Sequence, residues 1–178
     1  MTYSAPIIFR TEDLLRHVQD LRTGTYEGAV SQSEKEVVYR RGVELLTPVA
    51  LAVLEAANAA FLNGTGQVLA TGPQNDGYGG LEARFELSWP EQRAAWVVRG
   101  PREPLQPVRI VAHYHRGFHH PHLGGSRVGD WPFQITSPAD AERQAGVLAA
   151  IVEVELHQRI YETDWRILPV SRQAEENK

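Results

Sequence analysis

The chain has 178 residues and a formal net charge of −4, and its 18 lysines and arginines are scattered along the sequence. Binding to nucleic acid needs a concentrated basic surface, so we expect no nucleic-acid partner. The chain has no cysteine, which excludes disulfides, thiolate catalysis and cysteine-ligated zinc. We find neither a signal sequence nor an apolar stretch long enough to cross a membrane, and we expect a cytoplasmic protein.

The length fits a single domain, predicted over residues 1–170 and followed by a disordered tail over residues 171–178. Its first helix is expected between Thr11, as the capping residue, and Gly24. The apolar positions of this helix recur at helical spacing and form its apolar side: Leu14, Val18 and Leu21.

The rest of the N-terminal part, residues 1–64, is also predicted to be helical. Ser33 and Glu36 have the spacing of a capping box, which predicts the start of a second helix. Pro48 is expected to close that helix and to begin a third one, which continues to Leu62. The third helix is apolar around most of its surface, so we expect it to lie inside the fold.

Residues 66–161 are predicted to form a sheet and one final helix. Alternating polar and apolar residues, such as Phe85 and Leu87, predict strands at four places: 67–71, 81–88, 94–99 and 108–115. Short connections between them favour an antiparallel meander. A long helix is expected from Pro138 to Tyr161. The predicted fold class is therefore α+β, with a four-stranded antiparallel meander flanked by helices, a helical N-terminal third and a long C-terminal helix.

Five of the seven histidines lie between Ala112 and Leu123. His113 and His115 stand two residues apart at the end of an apolar run, so they share one face of the predicted strand. Neutral imidazole is a common ligand of metals, and the cluster predicts a site for a divalent metal such as zinc. The candidate ligands are His113, His115, His119, His122 and Asp130. The alternative is that these histidines belong to a turn and are held by hydrogen bonds to the backbone.

A series of turn motifs punctuates the second half of the chain. In order, these motifs are Gly72-Pro73, Tyr78-Gly79-Gly80, Trp89-Pro90, His120-Pro121-His122 and Trp131-Pro132. Their order resembles that of the ubiquitin-conjugating enzyme (E2) fold over about residues 66–160. The resemblance implies an inactive variant or a divergent bacterial relative, because the nucleophilic cysteine of that family is absent. Thioester transfer is then excluded, since no thiol can accept the acyl group.

Three functions remain open. The first hypothesis is a non-catalytic protein-interaction module of a bacterial cytoplasmic system, which binds a protein partner through His119, His120, His122 and Trp131. The alternative is a metal-dependent hydrolase that uses the cluster between His113 and His122. A second alternative is a structural subunit of a larger assembly, with the helical N-terminal third as its docking element.

Overall fold

The computed structural model describes residues 9–127 and 129–171. Within these residues the fold is α+β, as predicted, with five α-helices and one antiparallel sheet of five strands. The helices are α1 (Thr11–Thr23), α2 (Gln32–Leu62), α3 (Pro90–Ala94), α4 (Pro138–Arg143) and α5 (Ala145–Glu162). The strands are β1 (Gln67–Asn75), β2 (Leu81–Ser88), β3 (Val108–Tyr114), β4 (His122–Gly124) and β5 (Trp131–Pro132). Residues 172–178 of the predicted tail lie outside the described residues.

The strands lie in the sheet in chain order, and each neighbouring pair is antiparallel, so the predicted meander is confirmed. The strand β2 alternates between buried and half-buried residues along its whole length. Its buried face, which includes Phe85 and Leu87, packs with α2 and α5 to form the core. The opposite face of the sheet carries charged residues and histidines, and the candidate site lies there.

The sheet has five strands rather than four, because one predicted strand is wrong and two short strands were not predicted. Residues 90–94 form α3, which begins with Pro90 at its first position. The following segment makes only an isolated bridge between Trp96 and Pro104, and proline lacks the N–H that would extend a ladder. The strands β4 and β5 have three and two residues, too few to show an alternating pattern.

The predicted second and third helices are one helix of 31 residues with Pro48 inside it. A proline in a helix removes one backbone hydrogen bond and costs about 3 kcal/mol. Buried residues on both sides of it, such as Leu46 and Ala50, pack into the core and offset that cost. The capping box at the start is formed by Ser31 and Glu34, two residues before the predicted pair.

By length and composition alone, α2 is also long and apolar enough to cross a membrane, and no other helix of the described residues passes this test. The core helix of a soluble protein meets the same criterion, so the finding is weak evidence. In the structure α2 packs along β1, β2 and α5. The expected absence of a membrane span stays a prediction.

The bounds predicted for α1 are confirmed, although its N-terminal cap is Arg10 rather than Thr11. The apolar side predicted for this helix faces solvent in the structure. Leu14, Val18 and Leu21 are 55%, 42% and 52% exposed. We call these three residues the α1 stripe.

The inner face of α1 is polar, and it packs against polar groups from other parts of the chain. The buried carboxylate of Asp20 accepts hydrogen bonds from the backbone N of Glu27 at 3.0 Å and from Nε2 of Gln134 at 3.0 Å. Arg16 forms an ion pair with the buried Asp140, at 3.1 Å. Charge-assisted hydrogen bonds of this kind compensate for the burial of charged groups, which is otherwise costly.

The predicted helix from Pro138 to Tyr161 is divided into α4 and α5 at Gln144. The division is slight, because Gln144 keeps a helical conformation with φ −74° and ψ −18°. Its backbone N donates to the carbonyl of Ala141 at 2.9 Å, three residues back, so the turn is locally tightened. The buried residues of α5, including Leu148 and Ile151, pack on the sheet as expected.

Candidate metal centre

The register of the sheet determines the neighbours of His113, which lies on the polar face of β3. Its Cα pairs with that of Glu82 on β2 and with that of His122 on β4. Directly opposite residues of antiparallel strands point to the same face, with Cβ atoms about 4.5–5.5 Å apart. The short strand β4 therefore places a second histidine beside His113.

Asp130 completes a group of three candidate ligands at this position. Its Oδ1 lies 3.0 Å from Nε2 of His113, and the ligand atoms of His113, His122 and Asp130 all lie within 4.8 Å of one another. A zinc–nitrogen bond of 2.0–2.1 Å implies ligand atoms about 3.3 Å apart in a tetrahedral site. Small side-chain movements would bring these atoms to that spacing. We call this group the open triad.

Two members of the open triad, His113 and Asp130, line a groove of about 420 Å³ on the polar face of the sheet. Asp130 is 46% exposed, whereas the side chain of His113 is 10% exposed. Charged and polar side chains provide most of the remaining lining, and they include Glu82, Arg84, Arg109, His115 and Ser126. An ion at the open triad would therefore be reached from solvent through this groove.

His115 lies beside the open triad and is oriented by a carboxylate. Its ring stacks on that of His113 with a centroid separation of 4.3 Å, and its Nδ1 lies 2.8 Å from Oδ2 of Asp76. Asp76 also accepts hydrogen bonds from the backbone N of Tyr78 and of Gly80, both at 2.8 Å. The bond from His115 and these two backbone bonds lower the pKa of Asp76 to about 2. Asp76 is therefore a carboxylate at neutral pH and fixes the His115 ring.

Gly80 allows the turn that carries Asp76 to approach β3. A Cβ atom at this position would lie 2.5 Å from Oδ2 of Asp76 and 2.7 Å from the carbonyl oxygen of Tyr114. Both distances are far below van der Waals contact. The contact between Asp76 and His115 thus depends on a residue without a side chain.

A second group of three histidines lies next to the open triad. The ligand atoms of His17 on α1, His120 in the loop before β4 and His122 on β4 lie within 4.8 Å of one another. Nε2 of His17 is 2.9 Å from Nε2 of His120. We call this group the helix triad. His122 belongs to both triads.

Burial favours the neutral form of the three rings of the helix triad. Burial, together with the neighbouring rings of His17 and His122, lowers the pKa of His120 to about 4. Burial also lowers the pKa of His17 and of His122. Neutral imidazole is the form that offers a lone pair to a metal.

The structure brings together three of the five ligands predicted from the sequence, His113, His122 and Asp130. His115 is adjacent, but its Nδ1 is bonded to Asp76. His119 is exposed and, within the described part of the chain, belongs to neither triad.

Two other residues predicted to bind a partner are not fully exposed. His120 is buried, and Trp131 of β5 is half-buried and packs against the core. Sequence reasoning also missed His17 and Asp76. A signal for His17 existed, because Asp13, His17 and Asp20 recur at helical spacing on α1.

Comparison of the chain with models of known protein families, with curated proteins and with solved structures finds no match. The motifs that resemble ubiquitin-conjugating enzymes lie mostly in turns and at strand ends, with Gly72-Pro73 inside β1. The resemblance stays a prediction.

Proposed function

We propose that this protein is a metal-dependent hydrolase whose divalent ion, zinc foremost, is bound by the open triad. The observation that carries the proposal is the convergence of His113, His122 and Asp130, of which His113 and Asp130 line a groove of about 420 Å³. Two histidines and one carboxylate are a common ligand set of catalytic zinc. Three protein ligands leave one coordination position for water or substrate.

Zinc in such a site acts as a Lewis acid and lowers the pKa of a coordinated water to about 7. The residues of the chain supply the rest of the chemistry. Nε2 of His113 and Oδ1 of Asp130, which lie 3.0 Å apart, would hold the ion, and binding would release any proton on that nitrogen to solvent. His115, fixed through Nδ1 by Asp76, leaves its Nε2 for proton transfer at the groove.

Zinc content and hydrolysis test the proposal in the same preparations of untagged protein. We expect bound zinc, and zinc-dependent hydrolysis of p-nitrophenyl acetate or of bis(p-nitrophenyl) phosphate. Asp130→Asn and His113→Ala should each weaken zinc binding at the open triad and lower the hydrolysis rate by more than about 100-fold. Substitution of a residue that only supports the ligands typically lowers activity by about 10–100-fold, so the loss of a ligand should have a larger effect. His119→Ala is the matched control and should change neither. Hydrolysis that persists in Asp130→Asn would contradict the proposal.

A second candidate function is a protein-interaction module, and the exposed α1 stripe favours it. Leu14, Val18 and Leu21 form an apolar face on a helix whose other side is already bound to the protein. Soluble proteins normally bury such a face against another element. The occupant that we propose is α1 of a second copy.

The ends of α1 favour an antiparallel pair of copies. Glu12 lies in the first turn and Arg22 in the last, and both are exposed. An antiparallel two-fold arrangement places Glu12 of one copy near Arg22 of the other and the two stripes against each other.

Sedimentation velocity tests this arrangement directly. We expect a concentration-dependent dimer that Val18→Glu converts to a monomer. Val37→Glu, at a 67% exposed position on α2, is the control and should remain dimeric. A wild-type chain that stays monomeric at every concentration measured would contradict the proposed dimer.

A further inference from the structure

We infer that the helix triad is a second divalent-metal site, and that its ion fastens α1 to the sheet. This inference goes beyond the hydrolase proposed above. It does not depend on the open triad being occupied, although the two triads share His122.

The three ligands come from two distant parts of the chain and meet only in the folded protein. His17 lies near the middle of α1, His120 lies in a loop and His122 begins β4. The ring centroids of His17 and His120 are 4.0 Å apart, and those of His120 and His122 are 4.8 Å apart. An ion bound to all three would link the N-terminal helix to a strand of the sheet.

Hydrogen bonding among these rings leaves ring nitrogens without a partner. The two Nε2 atoms of His17 and His120 face each other at 2.9 Å, and only one of them can donate a proton to the other. The Nδ1 atoms of His120 and His122 are buried and have no hydrogen-bond partner among the described residues. A buried polar atom without a partner costs about 1–3 kcal/mol. A metal ion would bind ring nitrogens in a group whose hydrogen-bonding capacity the protein itself does not satisfy.

The ligand set indicates the class of ion. Three imidazoles without a carboxylate suit zinc, copper, nickel or cobalt, whereas magnesium and calcium prefer oxygen ligands. His120 is 7% exposed, so the ion would be more enclosed than one at the open triad. The site needs no substrate access.

A link at this position would matter because α1 lacks an inward apolar face. The helix has 13 residues, and helices shorter than about 12–15 residues are marginal in isolation. Its described contacts with the rest of the chain are mainly hydrogen bonds and ion pairs of Arg16, Asp13 and Asp20. A coordinated ion would add a link that exists only while α1 is docked on the sheet.

Both triads contain His122, so that residue is left unchanged. Each triad is tested in a variant that lacks one or more of the ligands that only the other triad uses. The double variant His113→Ala, Asp130→Asn keeps the helix triad, and His17→Ala keeps the open triad. We measure bound zinc by mass spectrometry and by competition with a chromogenic chelator, and amide hydrogen exchange across residues 11–23. His119→Ala serves as the control in both assays.

We expect the double variant to retain one zinc ion. With zinc at 100 times its dissociation constant, exchange in α1 should slow by about 100-fold, because the ion stabilises only the docked helix. Adding His17→Gln, which keeps a polar side chain, should abolish both effects. Circular dichroism without zinc verifies that each variant is folded.

The two proposals fail in different ways. If the double variant binds no zinc while His17→Ala binds one ion, the helix triad is not a metal site and the hydrolase proposal stands. If only the double variant binds zinc, the hydrolase proposal fails and this inference stands. Zinc bound by the double variant without slower exchange in α1 would overturn the fastening role.

Discussion

The helices α1 and α2 are both attached to the same sheet, but by opposite kinds of surface. α2 buries apolar residues such as Leu46 and Leu54, whereas α1 buries Asp13 and Asp20 and exposes its apolar stripe. The difference lies in what each helix meets. α2 meets the apolar face of the sheet, while α1 meets fully buried polar side chains such as Gln134.

This comparison teaches that an amphipathic pattern predicts a helix but does not by itself decide which face is buried. Burial of charged groups is tolerated where hydrogen-bonding partners surround them. We therefore expect α2 to respond to lost volume and α1 to respond to lost hydrogen bonds and charges.

The largest effect is expected for Leu54→Ala in α2. Leu54 is fully buried, and removing its side chain should lower the free energy of unfolding by about 2–5 kcal/mol through lost burial and a cavity. Urea unfolding measures the change. Val18→Ala on the α1 stripe is the matched control and should change stability by less than about 0.5 kcal/mol at concentrations where the chain is monomeric. Equal losses at both sites would remove the contrast between the helices.

A smaller loss is expected for Asp20→Ala in α1. The carboxylate bonds Gln134, the backbone N of Glu27 and Oγ1 of Thr25, and its removal leaves buried donors unsatisfied. We expect a loss of about 2 kcal/mol, typical of hydrogen bonds to a charged group. Asp20→Asn should lose less, because its amide oxygen still accepts. An alanine variant as stable as the wild type would show that these bonds do not attach α1.

The smallest effect concerns Asp140, and it depends on pH. Burial alone would raise the pKa of Asp140, but hydrogen bonds from Thr136 and Ser137 and the charge of Arg16 outweigh it and hold the pKa well below its usual range. A group with a lowered pKa in the folded state stabilises the fold above its unfolded pKa, near 4, and loses that contribution as the pH falls further. The free energy of unfolding should therefore decline below about pH 4.

Asp140→Asn separates this contribution from other acid effects. The variant should be less stable than the wild type at pH 7, and the gap should narrow as the pH approaches 2. Thermal unfolding over a series of buffers measures it. A gap that stays constant with pH would show that the charge of Asp140 does not contribute.

The bounds of a helix or strand could be predicted from the sequence where neighbouring residues determine them. The strand β2 was predicted with its observed bounds because Phe85 and Leu87 alternate strictly with polar residues. The end of α1 at Gly24 was predicted because glycine adopts the left-handed conformation found there, with φ 70°. The helix break expected at Pro48 did not occur, because buried contacts on both sides outweigh the lost hydrogen bond.

The candidate site was only partly predictable, because its geometry comes from contacts distant in the sequence. His113 lies in the histidine cluster and Asp130 follows that cluster in the sequence, so residue type and position indicated both. His17 is 103 residues from His120, and only the docking of α1 brings the two together. The register that sets His122 beside His113 depends on β4, a strand of three residues.

Gly80 makes the residues allowed in a surface turn depend on the residues of the candidate site. Turns between strands usually tolerate many substitutions and changes of length. At this turn, any side chain at position 80 would displace either Asp76 or the backbone of β3. Among related sequences, glycine at this position should therefore vary together with the histidine at position 115, and a chain that lost one would be free to lose the other.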